Sequence, residues 1–209
     1  MTEEVRKITP TKTTLFLSMI IEENEPLDLV KRSISSVIDN VDNSYITLTY
    51  KDIEPTTSPL IDYLKSLHVN LSFFKWTYSF ADARNFALEQ MPKGNNIYFT
   101  WQDADDINDN SKAIRPVADW MHETGVCATF FPYLYMVELN DDGSIHEVLV
   151  EHKRERIIRN DGTFKWVGML HETLIEQRTE NVIKTQRNDF NIIHLSHQKR
   201  FDANIDRNV

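Results

Sequence analysis

One cysteine, Cys127, is all the chain has, which excludes an internal disulfide and a multi-cysteine metal knot. It lies among Val126, Ala128 and Thr129, the setting of a buried structural thiol rather than a nucleophile. Glycine is scarce as well, with 5 in 209 residues. There is no G-x-x-x-x-G-K-[ST] run, no G-x-G-x-x-G run and no G-x-S-x-G elbow. A glycine cradle for phosphate is therefore not expected, and a metal with arginine help has to do that work. Positive charge is short too: 23 Lys and Arg against 32 Asp and Glu leave a net charge of −9. That argues against a long nucleic-acid groove, which needs basic patches to neutralise phosphates, while a local basic patch stays open. Long apolar runs are missing. The longest near the start, Leu15 to Ile21, is broken by Ser18 and is too short to cross a bilayer. The opening MTEEVRKITP has no apolar core, so no signal peptide is expected and a soluble, cytoplasmic protein is.

What is present suits a folded enzyme-sized domain. Hydrophobic residues make up 41% and aromatic residues 11% of the chain, enough for a real core. The length predicts a single domain over 1–209, with residues 1–12 as a polar arm. LFLSMII (Leu15 to Ile21) reads as a first strand buried on both faces. Pro26 suits the first turn of a helix whose apolar positions, Leu27, Val30, Ile34, Val37 and Ile38, recur at helical spacing through Asp39. YITLTY (Tyr45 to Tyr50) is a second strand, Ser58-Pro59 starts a second helix, and Val69 to Phe74 is a third strand. Ser79 or Asp82 opens a third helix, stopped by Pro92 and Gly94. Ile97 to Trp101 is a short buried strand. The alternation predicts an α/β fold whose sheet is parallel in its first half. After a helix over Ile114 to Thr124, Cys127 to Leu139 reads as extended and Asn140-Asp141-Asp142-Gly143 as a hairpin turn. Ser144 to Val150, Arg156 to Arg159, Phe164 to Val167, His171 to Glu176, Val182 to Thr185 and Asn191 to Leu195 read as further strands. The second half is therefore expected to be mixed or antiparallel.

The chemistry concentrates after the central strand. Asp103, Asp105 and Asp106 follow Trp101 almost at once, at a strand's carboxyl end, where open α/β sheets bind ligands. Three carboxylates there repel one another, and a divalent cation such as Mn²⁺ or Mg²⁺ would relieve that and bridge to phosphates. The bland alternative is a solvated acidic turn. Arg84 stands one turn into the preceding helix, either as a phosphate contact or as a surface residue. His171 and Glu172 offer a metal ligand and a general base. Neighbours on a strand face opposite ways, so both reach one pocket only if the backbone turns, and Gly168 allows a turn. His152, Lys153, Arg154, Arg156 and Arg159 form a basic run, read either as an anion site or as a charged edge strand. His194, in the apolar stretch NIIHLSH, reads as a core histidine with a metal role left open.

Taken together these pieces resemble the family-2 glycosyltransferases of the GT-A fold. The carriers are Leu17 to Ile21 with Glu23-Asn24-Glu25, then WTYSFADARNFAL (Trp76 to Leu88), then Gln102-Asp103-Ala104-Asp105-Asp106. Arg156-Ile157-Ile158-Arg159-Asn160, Lys165-Trp166-Val167-Gly168 and His171-Glu172 follow in the family's order. The resemblance implies a nucleotide-sugar-binding half over 13–110 and an acceptor-side half over 111–209, with a mixed sheet flanked by helices. It implies that Asp105 ligates Mn²⁺ or Mg²⁺ with His171 close to the metal. Asp103 would contact the ribose or base, and Asp106 would support the metal or donor sugar. Arg84 and Trp166 would belong to the substrate pocket, and Glu172 would deprotonate the acceptor. The family's Asp at the end of the second strand is displaced: the stretch reads Tyr50-Lys51-Asp52-Ile53-Glu54, so Asp52 is the candidate, with Glu54 as substitute. The segment from Lys199 to Asn208 resembles the place where such enzymes continue into helices, as the N-terminal part of a longer protein would.

The expectation is thus a metal-dependent, hexosyltransferase-like enzyme acting on a nucleotide-diphosphate sugar. A UDP-sugar is the expected donor and inversion the expected outcome, with the acceptor unspecified. Two other readings stay open. A nucleotidyltransferase also places metal-binding carboxylates on an α/β sheet, and a degenerate domain would bind nucleotide sugar or glycan without turnover.

Overall fold

The computed structural model describes residues 13–178 and 182–195. The polar arm 1–12 and the segment from Lys199 to Asn208 lie outside the described residues. Four parallel strands build the first half: β1 (Thr14–Glu22), β2 (Asn43–Tyr50), β3 (Asn70–Lys75) and β4 (Ile97–Trp101). They are joined through α1 (Leu27–Ser35), α2 (Pro59–Ser66) and α3 (Phe80–Glu89). Then come β5 (Asp106–Asn108), α4 (Ile114–Thr124), β6 (Val126–Leu139), β7 (Ile145–Arg159), β8 (Phe164–Val167), β9 (Thr173–Glu176), β10 (Ile183–Gln186) and β11 (Ile192–His194). The main sheet runs β3-β2-β1-β4-β7-β6-β11-β5, with β10 also paired to β6. β7 is antiparallel to both β4 and β6, and β11 is parallel to β6 but antiparallel to β5. The fold is therefore mixed α/β, with a parallel first half and a mixed second half.

Alternation along β1 explains the layers. Leu15, Leu17, Met19 and Ile21 face a core with Val30 and Ile34 of α1, Leu60 and Leu64 of α2, and Val117 and Met121 of α4. Phe16 and Ile20 face the other side, where Ala81, Ala83 and Ala87 of α3 pack. A strand covered on both faces is apolar at both parities, which is why LFLSMII reads as nearly unbroken. Helix starts are capped locally: Ser58 Oγ accepts from Ile61 N at 3.1 Å with Pro59 in the first turn, and Ser79 Oγ accepts from Asp82 N at 3.1 Å. Gly125, at φ 77°, ends α4 in the left-handed conformation.

Two of the boundaries that differ from expectation bear on the site. α1 stops at Ser35, and Ile38–Asn40 is a separate 3₁₀ turn. Ser36 Oγ donates back to Ser33 O at 2.7 Å and accepts from Asn108 N at 3.1 Å, tying the helix end to β5. β9 begins at Thr173, so His171 and Glu172 belong to the preceding turn. Among the described residues no helix is long and apolar enough to cross a membrane.

Candidate active site

β1 has β2 on one side and β4 on the other, and the chain reverses its direction of travel across the sheet there. That is the switch point at which open α/β sheets leave a crevice outside their strand ends. A cavity of about 440 Å³ opens at this place, bounded by Ile20 to Glu22 of β1, Thr49 of β2 and the turn after β4.

The turn from Gln102 to Asp106 is pinned from below. Gln102, buried, donates from Nε2 to Ser33 O at 2.9 Å, Ser33 Oγ at 2.8 Å and Asp106 O at 3.0 Å. Ser33 Oγ donates to Asp103 O at 2.9 Å, and Asp106 N donates to Asp103 O at 3.1 Å. The result sorts the carboxylates: Asp103 and Asp105 line the cavity, while Asp106 turns inward with no exposure. Asp106 Oδ2 accepts from Arg156 Nη1 and from Asp103 N, both at 3.2 Å. Its Oδ1 accepts from the Tyr133 hydroxyl at 3.1 Å and lies 3.1 Å from His194 Nδ1.

His194 arrives from the far end of the chain. β11 pairs with β5 so that His194 sits opposite Asp106, and Leu195 N donates to Asp105 O at 3.0 Å. The Tyr135 ring stacks on the imidazole at 5.2 Å. Asp105, Asp106 and His194 each offer a ligand atom within 4.8 Å of the others. One imidazole with carboxylate oxygens suits Mn²⁺ or a similar divalent ion. Asp105 and His194 face the cavity, whereas both oxygens of Asp106 are already engaged. Asp106 therefore fits the part of the carboxylate that orients a metal-binding histidine. Burial would lower the His194 imidazole, but the hydrogen bond to Asp106 and the charges of Asp105, Asp106 and Asp103 lift it above its usual value. Burial pushes the Asp105 carboxyl up, and the charges of Asp106 and Asp103 add to it against the pull of His194.

A second charged group closes the other wall. Arg84, buried on α3, reaches Asp103 Oδ1 through Nη2 at 2.7 Å and Glu172 Oε1 through Nε at 2.7 Å. Its guanidinium lies 4.2 Å from the Trp101 ring centre and 5.2 Å from that of Trp166. Burial opposes its charge, yet Asp103 and Glu172 outweigh that and hold it more firmly protonated than usual. For Asp103, burial is likewise outweighed by Arg84 and Arg156, and its carboxyl is held below the usual range.

The site residues named from sequence separate as follows. Asp103, Asp105, Arg84, His171 and Glu172 all border the cavity. His171 and Glu172 share it because the backbone turns: Gly168 has φ 100° and His171 has φ 56°. His171 borders the cavity but is outside the Asp105–Asp106–His194 group, whose imidazole comes from the pairing of β11 with β5. Asp106 lies beneath the cavity floor. Trp166 is buried under Arg84, edge-on to Trp101 at 5.3 Å, and does not border the cavity. Asp52 is exposed and does not border the cavity either. Sequence reasoning passed over Tyr133 and the inward role of Arg156. The basic run reads either as an anion site or as a charged edge strand, but a bulge opposite Thr129/Phe130 adds a residue to β7, and Arg156 is wholly buried. Cys127 is buried, as expected.

The fold and its site thus define a mixed α/β protein with a carboxylate–imidazole group at the strand ends. No family model matches the chain, and no curated protein matches its sequence. Among solved structures it is similar to residues 1–349 of TarS from S. aureus, at 14% identity over 56% of this chain, with a TM-score of 0.41. It is similar to GalNAc-T7 with UDP, GalNAc and Mn²⁺, at 13% identity over 92% of this chain, with a TM-score of 0.46. It is also similar to the mannosyltransferase PcManGT from Pyrobaculum calidifontis with GDP-Man and Mn²⁺, at 14% identity over 57%, with a TM-score of 0.40. The matched parts cover 35%, 32% and 35% of those chains, so this chain spans about a third of each.

Proposed function

We propose that the protein is a metal-dependent glycosyltransferase using a nucleotide-diphosphate sugar. The observation that carries this reading is the meeting, in one cavity at the carboxyl ends of β1, β2 and β4, of a carboxylate–imidazole pair whose chemistry suits a divalent cation and a separate ion-paired carboxylate. Asp105 and His194 hold Mn²⁺ or Mg²⁺, with Asp106 orienting His194. The ion, when bound, stabilises negative charge developing on the departing nucleoside diphosphate. Asp103 faces the nucleotide. Glu172, aimed by Arg84, takes the proton of the acceptor hydroxyl in an inverting transfer. The ordered sequence motifs from Leu17 to Glu172 support the same reading.

Hydrolysis of UDP- and GDP-sugars with Mn²⁺, run against a chelated control, tests it. Metal-dependent release of the nucleoside diphosphate is the expected result. Release of pyrophosphate from a nucleoside triphosphate plus a sugar phosphate would assign a nucleotidyltransferase instead. Tight metal-dependent binding without any turnover would assign a binding domain.

Two further outcomes separate this ligand set from alternatives. His194→Ala should weaken Mn²⁺ binding roughly 10- to 100-fold, whereas His171→Ala should change it less than about twofold. Equal losses in calorimetry would refute the assignment. Metal binding should also strengthen as pH rises. Protons compete for His194 and Asp105, both of which hold theirs to higher pH than usual. Deprotonated ligands are the ones that bind, so affinity for Mn²⁺ should climb between about pH 6 and 8, at up to roughly tenfold per unit for each proton displaced. The metal-free protein should show the opposite sign from His194. A raised imidazole adds stability below its unfolded value and loses it as pH rises through the folded one. A flat affinity profile across that range would exclude His194 as a ligand.

A further inference from the structure

We propose that Arg154 binds an oxyanion of the substrate, most directly the diphosphate of the donor, a role that rests on the glycosyltransferase reading. The cavity is bordered by the carboxylates of Glu22, Glu25, Asp103, Asp105 and Glu172. A diphosphate entering such a wall needs cationic contacts besides the metal. The arginines that border it are Arg84 and Arg154. Arg84 is committed, with Nε and Nη2 each 2.7 Å from a carboxylate oxygen. Arg154 is not. Its nearest carboxylate is Glu155, at 3.6 Å from Nε, and its Nη2 donates to the backbone oxygen of Glu172 at 3.3 Å. Those are weak partners for a guanidinium whose side chain is only 30% exposed. Among the described residues no carboxylate closes on it as Asp103 and Glu172 close on Arg84.

Its orientation is already set. The guanidinium lies 5.3 Å from the Trp101 ring centre, beside Arg156 at 3.8 Å and Arg84 at 4.2 Å from the same ring. An aromatic face and the Glu172 carbonyl together hold the planar fork beside the proposed base. A guanidinium fixed in this way suits bidentate contact with phosphate and loses little side-chain freedom on binding. Its strand explains the placement. The extra residue in β7 turns Arg156 inward beneath Asp106, and Arg154, two residues earlier, stays at the cavity wall.

Calorimetric titration of wild type, Arg154→Ala and Arg154→Lys tests the proposal. The probes are Mn²⁺ alone, Mn²⁺ with pyrophosphate, Mn²⁺ with UDP or GDP, and inorganic phosphate in chelator. Arg154→Ala should bind Mn²⁺ as wild type does but bind Mn²⁺–pyrophosphate and the Mn²⁺–nucleotides at least about tenfold more weakly, with Arg154→Lys in between. A loss confined to metal-free phosphate would keep the oxyanion site and move it to the acceptor side. Unchanged binding of every anion, or an equal loss of Mn²⁺ binding, would overturn it. If pyrophosphate binding depends on Arg154 while sugar nucleotides are neither bound nor cleaved by wild type, the glycosyltransferase reading fails and the anion site stands.

Discussion

Asp105→Asn is expected to abolish the manganese-dependent thermal shift and to lower donor cleavage by about 10²- to 10³-fold or more, while leaving the metal-free protein as stable as wild type or more so. Burial and the neighbouring carboxylates Asp106 and Asp103 raise the Asp105 carboxyl above its ordinary value. A raised folded value means that at neutral pH the ionised side chain is tolerated less well in the folded protein than in the unfolded chain. The amide keeps the shape and removes that penalty. On the proposed reading wild type would recover it on binding a cation: at a hundred times the dissociation constant, a ligand adds about 2.7 kcal/mol, on the order of 5 to 10 °C for a chain of this size. The variant should show no such shift. Opposite signs for stability and activity mark a residue kept for a ligand rather than for the fold. The contrast is Asp106→Asn, which should destabilise the metal-free protein, because it strips the counter-charge from a wholly buried Arg156. A full manganese shift and normal turnover in Asp105→Asn would remove Asp105 from the site.

How much of this was legible before the structure depends on whether the cause was local. β4 was bounded correctly because Gly94-Asn95-Asn96 and the carboxylates bracket an apolar run. α3 and α4 were readable from Ser79 and Gly125, whose capping chemistry lies within a few residues. The parallel order followed from strand–helix alternation. β5 was missed because Asp106–Asn108 becomes a strand only by pairing with β11. That same pairing brings His194 to Asp106, across 88 residues, and no spacing rule reaches so far. Hence the sequence reads His194 as a core histidine with a metal role left open, and places His171, adjacent to Glu172, near the metal. The basic run is only partly legible for a related reason. Its interruption of the apolar pattern split β7 in two, but the strand is continuous over Ile145–Arg159, because its ladder with β6 continues through the charged stretch. The burial of Arg156 is a product of the bulge, which local pattern does not record.

Arg84→Met should cost about 3–5 kcal/mol of stability and lower Tm by on the order of 10 °C. The side chain is 6% exposed and stands between two carboxylates, at 2.7 Å from each. Methionine can fill much of the space over Trp101 and Trp166 but brings no charge, so Glu172 would lose its guanidinium partner and Asp103 would keep only the more distant charge of Arg156. The pH dependence identifies the cause. In wild type Asp103 is held below its ordinary value, with Arg84 and Arg156 outweighing burial. Such a carboxylate contributes stability above its unfolded value and loses it as pH falls through the folded one. The gap between wild type and Arg84→Met should therefore be full at neutral pH and shrink below about pH 4. Neutralising the partners should rescue it: Arg84→Met with Asp103→Asn and Glu172→Gln should recover much of the stability and none of the activity. Arg84→Lys should fall between, because one ammonium cannot span both carboxylates as the guanidinium fork does. Denaturant unfolding of the set decides the matter. A loss under about 1 kcal/mol in Arg84→Met, the size of an exposed pair, would show that the two carboxylates do not depend on Arg84. A large loss that rescue leaves untouched would trace the effect to packing on the two indoles instead.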